Sequence, residues 1–167
     1  LTASRPDIVH QIFERQVEIG IANLERIHAR IGDAIDVIYL CGTDFGTQTS
    51  SFCSVKTFDS LWKPHYAELC NWVHKNTSWK TFKHSCGSSE RFFESLIDAG
   101  VDIINPVQCS AKGMDPRMLK DKYKGRTWGV FLVQNFDRIA TDVYLGYRNY
   151  ELKIKGNPDV KAKDIDA

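Results

Sequence analysis

The chain has 167 residues, of which 43% are hydrophobic and 26% charged, the balance of a globular domain long enough to bury a core. A net charge of +1 with acids and bases interspersed gives no electrostatic footprint for nucleic acid or an anionic membrane surface. No apolar run nears the roughly 20 residues of a membrane span, and Leu1 to Asp7 lacks the basic-then-apolar pattern of a secretory leader. The five cysteines, at 41, 53, 70, 86 and 109, are odd in number and irregularly spaced. They read as reduced thiols of a cytoplasmic protein and not as a disulfide framework.

Asp7 to Ile31 has apolar residues at three- and four-residue steps (Ile8, Ile12, Val17, Ile21, Leu24, Ile27, Ile31) and charges on the opposite face, the pattern of an amphipathic helix. Pro6-Asp7 supplies a start and Gly32-Asp33 a stop. Ile35 to Leu40 is short, rich in β-branched residues and, Asp36 aside, largely apolar, which predicts a strand buried on both faces. After the polar loop Cys41 to Ser54, Thr57 to Lys75 predicts one helix packed through Phe58, Leu61, Trp62, Tyr66, Leu69 and Val73.

The unit then recurs. Trp79 to Lys83 reads as a strand, His84 to Ser89 as a turn, and Glu90 to Ala99 as a helix closed by Gly100. Val101 to Ile104 reads as a strand, Asn105 to Gly113 as its loop, and Asp115 to Tyr123 as a helix with an acidic N-cap followed by proline. Trp128 to Val133 is a candidate fourth strand. Gln134 to Ala167 has no helical period and ends in the charged run Lys161 to Asp164. Strand, polar loop and helix in repetition predict an α/β fold with a parallel sheet.

In such folds ligands bind at the carboxyl ends of the strands. The loops at issue offer Asp44, Thr47 and Gln48; His84, Cys86 and Ser88; and Asn105, Gln108 and Cys109. Residues two apart on a strand point to the same side, so the His84 imidazole and the Cys86 thiol converge. Both are ligands suited to zinc. On the residues alone three readings stand: a zinc pair, a satisfied strand-end histidine beside a buried cysteine, or a metal-free Cys–His nucleophile lacking an orienting third group. Asp44 reads either as a catalytic or substrate-binding carboxylate or as a backbone acceptor in a glycine-containing loop. Gln48 reads as a substrate contact or a turn cap, and Asn105-Pro106 as a site residue or a turn signal. His10, His28, His65 and His74 read as surface or packing residues, Trp62, Trp72 and Trp79 as core, and Cys53 and Cys70 as structural.

Taken in order, Asp36-Val37, Thr43-Asp44-Phe45-Gly46-Thr47-Gln48, Lys63-Pro64, His84-Ser85-Cys86-Gly87, Ala99-Gly100-Val101-Asp102 through Asn105-Pro106-Val107-Gln108, and Ala111-Lys112-Gly113-Met114-Asp115-Pro116 resemble the uroporphyrinogen decarboxylase-like superfamily over residues 10–126. The resemblance implies a partial (β/α)8 TIM barrel in residues 1–126, with its site at the carboxyl ends of the strands, and a tail, residues 127–167, that does not match the family. It implies either corrinoid-linked methyl transfer, in which zinc activates a thiol such as coenzyme M, or cofactor-free decarboxylation of a tetrapyrrole. The H-x-C pair is similar to the zinc motif of the methyltransferase branch. On that branch His84 and Cys86 hold zinc, Asp44 joins them in catalysis, and Asp44, Gln48, Asn105 and Gln108 line the substrate cleft. A methylcorrinoid is then the co-substrate, and a corrinoid protein or a second copy of the chain the partner.

The chain departs from the family in three respects. Only Asp44 stands where many relatives have two adjacent acids. No cysteine follows Cys109, so the later third ligand of the methyltransferase branch has no counterpart, and Cys109 is the one nearby substitute. A full barrel needs about 250 residues. A truncated, inactive remnant that acts only by association is therefore the third expectation.

Overall fold

The computed structural model describes residues 2–135 and 140–146, the last two strands as backbone only. The first helix, α1 (Pro6–Ile31), buries Val9, Val17 and Leu24 and packs on α3 (Lys63–Asn76). It ends as the sequence indicates: Gly32 has φ 52° and its N–H donates to the His28 carbonyl at 2.8 Å.

The strand β1 (Val37–Cys41) follows, then α2 (Val55–Leu61) and α3. The single helix expected over Thr57 to Lys75 is thus two. Pro64 sits in the first turn of α3, where its missing N–H costs nothing, whereas inside a continuous helix its ring would strike the carbonyl four residues back. The chain therefore breaks at Trp62 (φ −113°, ψ −42°). Ser54 caps α2 by accepting the Thr57 N–H at 3.1 Å.

Next come β2 (Lys80–His84), a 3-10 turn over Glu90–Phe92 leading into α4 (Phe93–Asp98), β3 (Ile103–Val107) and α5 (Pro116–Tyr123). Asp115 caps α5 by accepting the Met118 N–H at 2.8 Å. The last described strands are β4 (Trp128–Asn135) and β5 (Ala140–Gly146).

The strands lie side by side in chain order, with β1 to β4 parallel and β5 antiparallel to β4. The molecule is therefore an α/β protein with a small open sheet. The antiparallel β5 departs from the all-parallel arrangement of a barrel. The charged run Lys161 to Asp164, and the rest of the tail beyond Gly146, lie outside the described residues.

The main core lies between the sheet and the helices and includes Phe45, Phe58, Tyr66, Cys70, Phe92, Leu96, Ile104, Val107, Leu119 and Tyr123. A second cluster joins Leu24 of α1, Val73 of α3 and Trp79. The Trp79 indole N–H donates to the Gly32 carbonyl at 3.1 Å, which ties the end of α1 to the start of β2. The expectation that the first strand is buried on both faces is overturned. Val37 is 40% and Tyr39 57% exposed, and β1 is the outer strand of the described sheet. Among the described residues no helix is long and apolar enough to cross a membrane.

Candidate metal centre

Two loops at the carboxyl ends of β1 and β2 carry the candidate residues, and glycine brings them together. Gly46 and Gly87 pack backbone to backbone. A Cβ on Gly87 would lie 2.3 Å from the carbonyl carbon and oxygen of Gly46, and a Cβ on Gly46 would lie 2.6 Å from the Ser88 nitrogen. Gly87 also has φ +86°, a region open to glycine and costly for other residues. Across this contact the Ser88 N–H donates to the Thr47 carbonyl at 2.8 Å. The buried Ser85 hydroxyl accepts the Phe45 N–H at 3.0 Å, and Asp44 Oδ1 accepts the Cys86 N–H at 2.7 Å.

The result is a convergence. The ligand atoms of Asp44, His84 and Cys86 all lie within 4.8 Å of one another. Cys86 Sγ is 3.4 Å from His84 Nε2, and Asp44 Oδ1 is 3.6 Å from the same nitrogen, with the side chains of His84 and Asp44 30% and 47% exposed. Strand register explains the histidine's orientation. His84 pairs with Asn105 on β3, which sets the Asn105 side-chain oxygen 2.9 Å from His84 Nδ1. With Nδ1–H donating there, Nε2 presents its lone pair to the sulfur and the carboxylate. Burial, then the negative charge of Asp44, pushes the Cys86 thiol above its ordinary value. A carboxylate oxygen, a ring nitrogen and a sulfur thus face one point. A carboxylate, an imidazole and a thiol are the donor types that hold zinc, and an open fourth position is the mark of a catalytic site.

The other expected site residues serve as braces. Gln108 Oε1 accepts the Gly87 N–H at 2.7 Å, and Gln108 Nε2 donates to Gln48 Oε1 at 2.9 Å. Gln48 Nε2 in turn donates to the Ser110 carbonyl. Gln48 and Gln108 therefore tie the loops after β1, β2 and β3 together. Asn105, expected in a loop, lies within β3. Cys109 does not join the donor cluster, since its thiol donates to the Val107 carbonyl at 3.4 Å. Asp44 is the third donor instead, and its backbone bond to Cys86 shows that it also acts as the loop acceptor that its setting suggested.

Of the remaining histidines, His10 and His65 face each other at 3.3 Å between α1 and α3. His74 meets Asp102 at 2.7 Å, and His28 packs edge-on against Trp79.

No known protein family, curated protein or solved structure matches the chain.

Two features escape a reading of the sequence. Lys83 is 0% exposed, and burial pulls its ammonium below the usual lysine value. Alternation along β2 held the signal, for Lys83 falls on the same side as Thr81 and Ser85, facing the helices. The second feature is an open polar cleft at the same end of the sheet, lined by Thr49, Ser50, Ser51, Ser88, Arg91 and Lys112 among others. It becomes visible only once the three loops are brought side by side.

Proposed function

We propose that this chain binds zinc through Asp44, His84 and Cys86 and transfers a methyl group between a corrinoid and a thiol, as a partial-barrel member of the uroporphyrinogen decarboxylase-like superfamily. The observation that carries the reading is the convergence of those three ligand atoms within 4.8 Å at the carboxyl ends of parallel strands, where α/β folds bind ligands.

A zinc ion held there would lower the pKa of a coordinated substrate thiol and keep it ready for attack. The chain's own residues do the rest. Asn105 keeps the His84 proton on Nδ1, so that Nε2 is free to coordinate. Asp44 holds Cys86 in place through its N–H. The partly exposed side of His84 and Asp44 leaves room for a substrate to approach. In the transfer the thiol gives up its proton and its sulfur bonds the methyl carbon, while the electron pair of the carbon–cobalt bond stays with the corrinoid.

The test is the metal content of the purified full chain alongside Cys86→Ala, together with methyl transfer from methylcobalamin to a small thiol. The expected result is about one zinc per chain in the wild type, with both metal and transfer lost in the variant. Equal and negligible metal in both ends the reading.

A further inference from the structure

Lys83 is a charged side chain at zero exposure, and the way it is accommodated is unusual. A buried ammonium ordinarily needs a carboxylate partner. The amine of Lys83 donates instead to two backbone carbonyls, Thr43 at 2.7 Å and its own neighbour His84, with the Cys41 side chain also beside it. Aromatic faces complete the shell, with Nζ 5.2 Å from the Phe45 ring centroid and 5.7 Å from that of Tyr66, in the range of cation–π attraction.

The identity of those carbonyls matters. The Thr43 peptide leads directly into Asp44, and the other carbonyl belongs to His84 itself. One ammonium therefore grips the backbone at the two residues from which two of the three donor side chains spring, and Cys86 follows two residues on. Residues 83 and 84 point to opposite sides of β2, so the amine lies behind the donors, in the layer between sheet and helices, close enough for its charge to act on Asp44 and Cys86. A methionine would fill the same space but take the ammonium donor away from both carbonyls, leaving the spacing of the two loops to the Gly46–Gly87 contact and the bonds around it.

We propose that Lys83 is a positioning residue that sets the spacing of Asp44 from His84 and Cys86 by clamping the Thr43 and His84 carbonyls from behind the sheet. This role rests on the zinc reading above and deepens it.

The test uses the full chain as wild type, Lys83→Met and Cys86→Ala. Zinc affinity is measured by chelator competition, the visible spectrum is recorded after loading with cobalt(II), and folding is followed by circular dichroism. The expected result is a folded Lys83→Met whose zinc affinity falls about 10- to 100-fold, the usual loss when support behind metal ligands is removed. Its cobalt spectrum should also change in band position and intensity, which a simple loss of stability would not produce in the folded protein.

Zinc affinity within twofold of wild type and an unchanged cobalt spectrum in Lys83→Met overturn the clamp while leaving the zinc reading intact. A wild type that takes up neither zinc nor cobalt ends the zinc reading, and the clamp with it. Should Lys83→Met fail to fold, Lys83→Leu, which likewise removes the donor, is read the same way: weaker zinc binding with an altered spectrum supports the clamp, and unchanged binding overturns it.

Discussion

On the helix side of β2 and the turn after it, Thr81, Lys83 and Ser85 are buried to zero exposure. On the other side, Phe82, His84 and Cys86 are only half-buried. Both sides are polar, yet the polar groups are used differently. On the helix side each one bonds the chain itself: the Thr81 hydroxyl to Gly100 and Asp102, Lys83 to the carbonyls of Thr43 and His84, Ser85 to the Phe45 N–H. On the open side, His84 and Cys86 face each other and Asp44. A buried polar group must be satisfied or it destabilises the fold by about 1–3 kcal/mol, whereas a half-exposed group can keep a lone pair for a ligand. The contrast teaches that polar residues on the two sides of one strand should fail in different assays.

Gly87→Ala should have the largest effect and strike both properties at once. The new methyl would lie 2.3 Å from Gly46 backbone atoms at a positive φ, so a loss of about 3 kcal/mol or more in denaturant unfolding is expected, with metal binding lost as the loops part. Ser85→Ala tests the buried side. Leaving the Phe45 N–H without its acceptor should cost about 2 kcal/mol of stability, and a loss under about 0.5 kcal/mol would contradict the assignment.

Asn105→Ala tests the open side. Zinc affinity should fall about tenfold or more as the His84 ring loses its anchor, with unfolding nearly unchanged; the reverse pattern would break the comparison. The pH dependence of zinc binding belongs to the same side. Cys86 must give up its proton to bind metal, and burial together with Asp44 holds that proton more tightly than usual. Zinc affinity should therefore rise about tenfold per pH unit below the raised thiol value and level off above it. In the metal-free chain the sign is opposite, because a thiol raised in the fold contributes stability at lower pH that is lost as pH climbs through the folded value. The smallest effect is expected at Val37→Thr, where 40% exposure should keep the change within about 0.5 kcal/mol.

Local signals in the sequence were read at close range. The apolar period of α1, the Gly32 stop and the Asp115 cap each depend on residues a few positions apart, and the structure has all three. What depended on neighbours in space was hidden. Ile35 to Leu40 is apolar apart from Asp36, and composition cannot say that β1 lies at the margin of the described sheet with Tyr39 exposed. Asn105-Pro106 suggested a turn, but its place in β3 beside His84 is a matter of strand register.

The pairing of His84 with Cys86 was legible because two-residue alternation is local. Asp44 as a third donor was not, because it arrives from another loop through a backbone contact that only glycine at 46 and 87 permits. Lys83 was hidden for a related reason, since nothing in the string of residues says that a lysine will be sealed under Phe45 and Tyr66.

Asp44 meets the Cys86 amide through a single carboxylate oxygen, and Asn105 steadies the imidazole from its far side. The three donors are therefore held in place by bonds from the chain's own groups. Capture should resemble a key entering a cut lock more than the folding of a zinc finger around its metal: calorimetry should register little entropy lost by the chain, and the rate of uptake should follow shedding of water by the ion and release of the thiol proton.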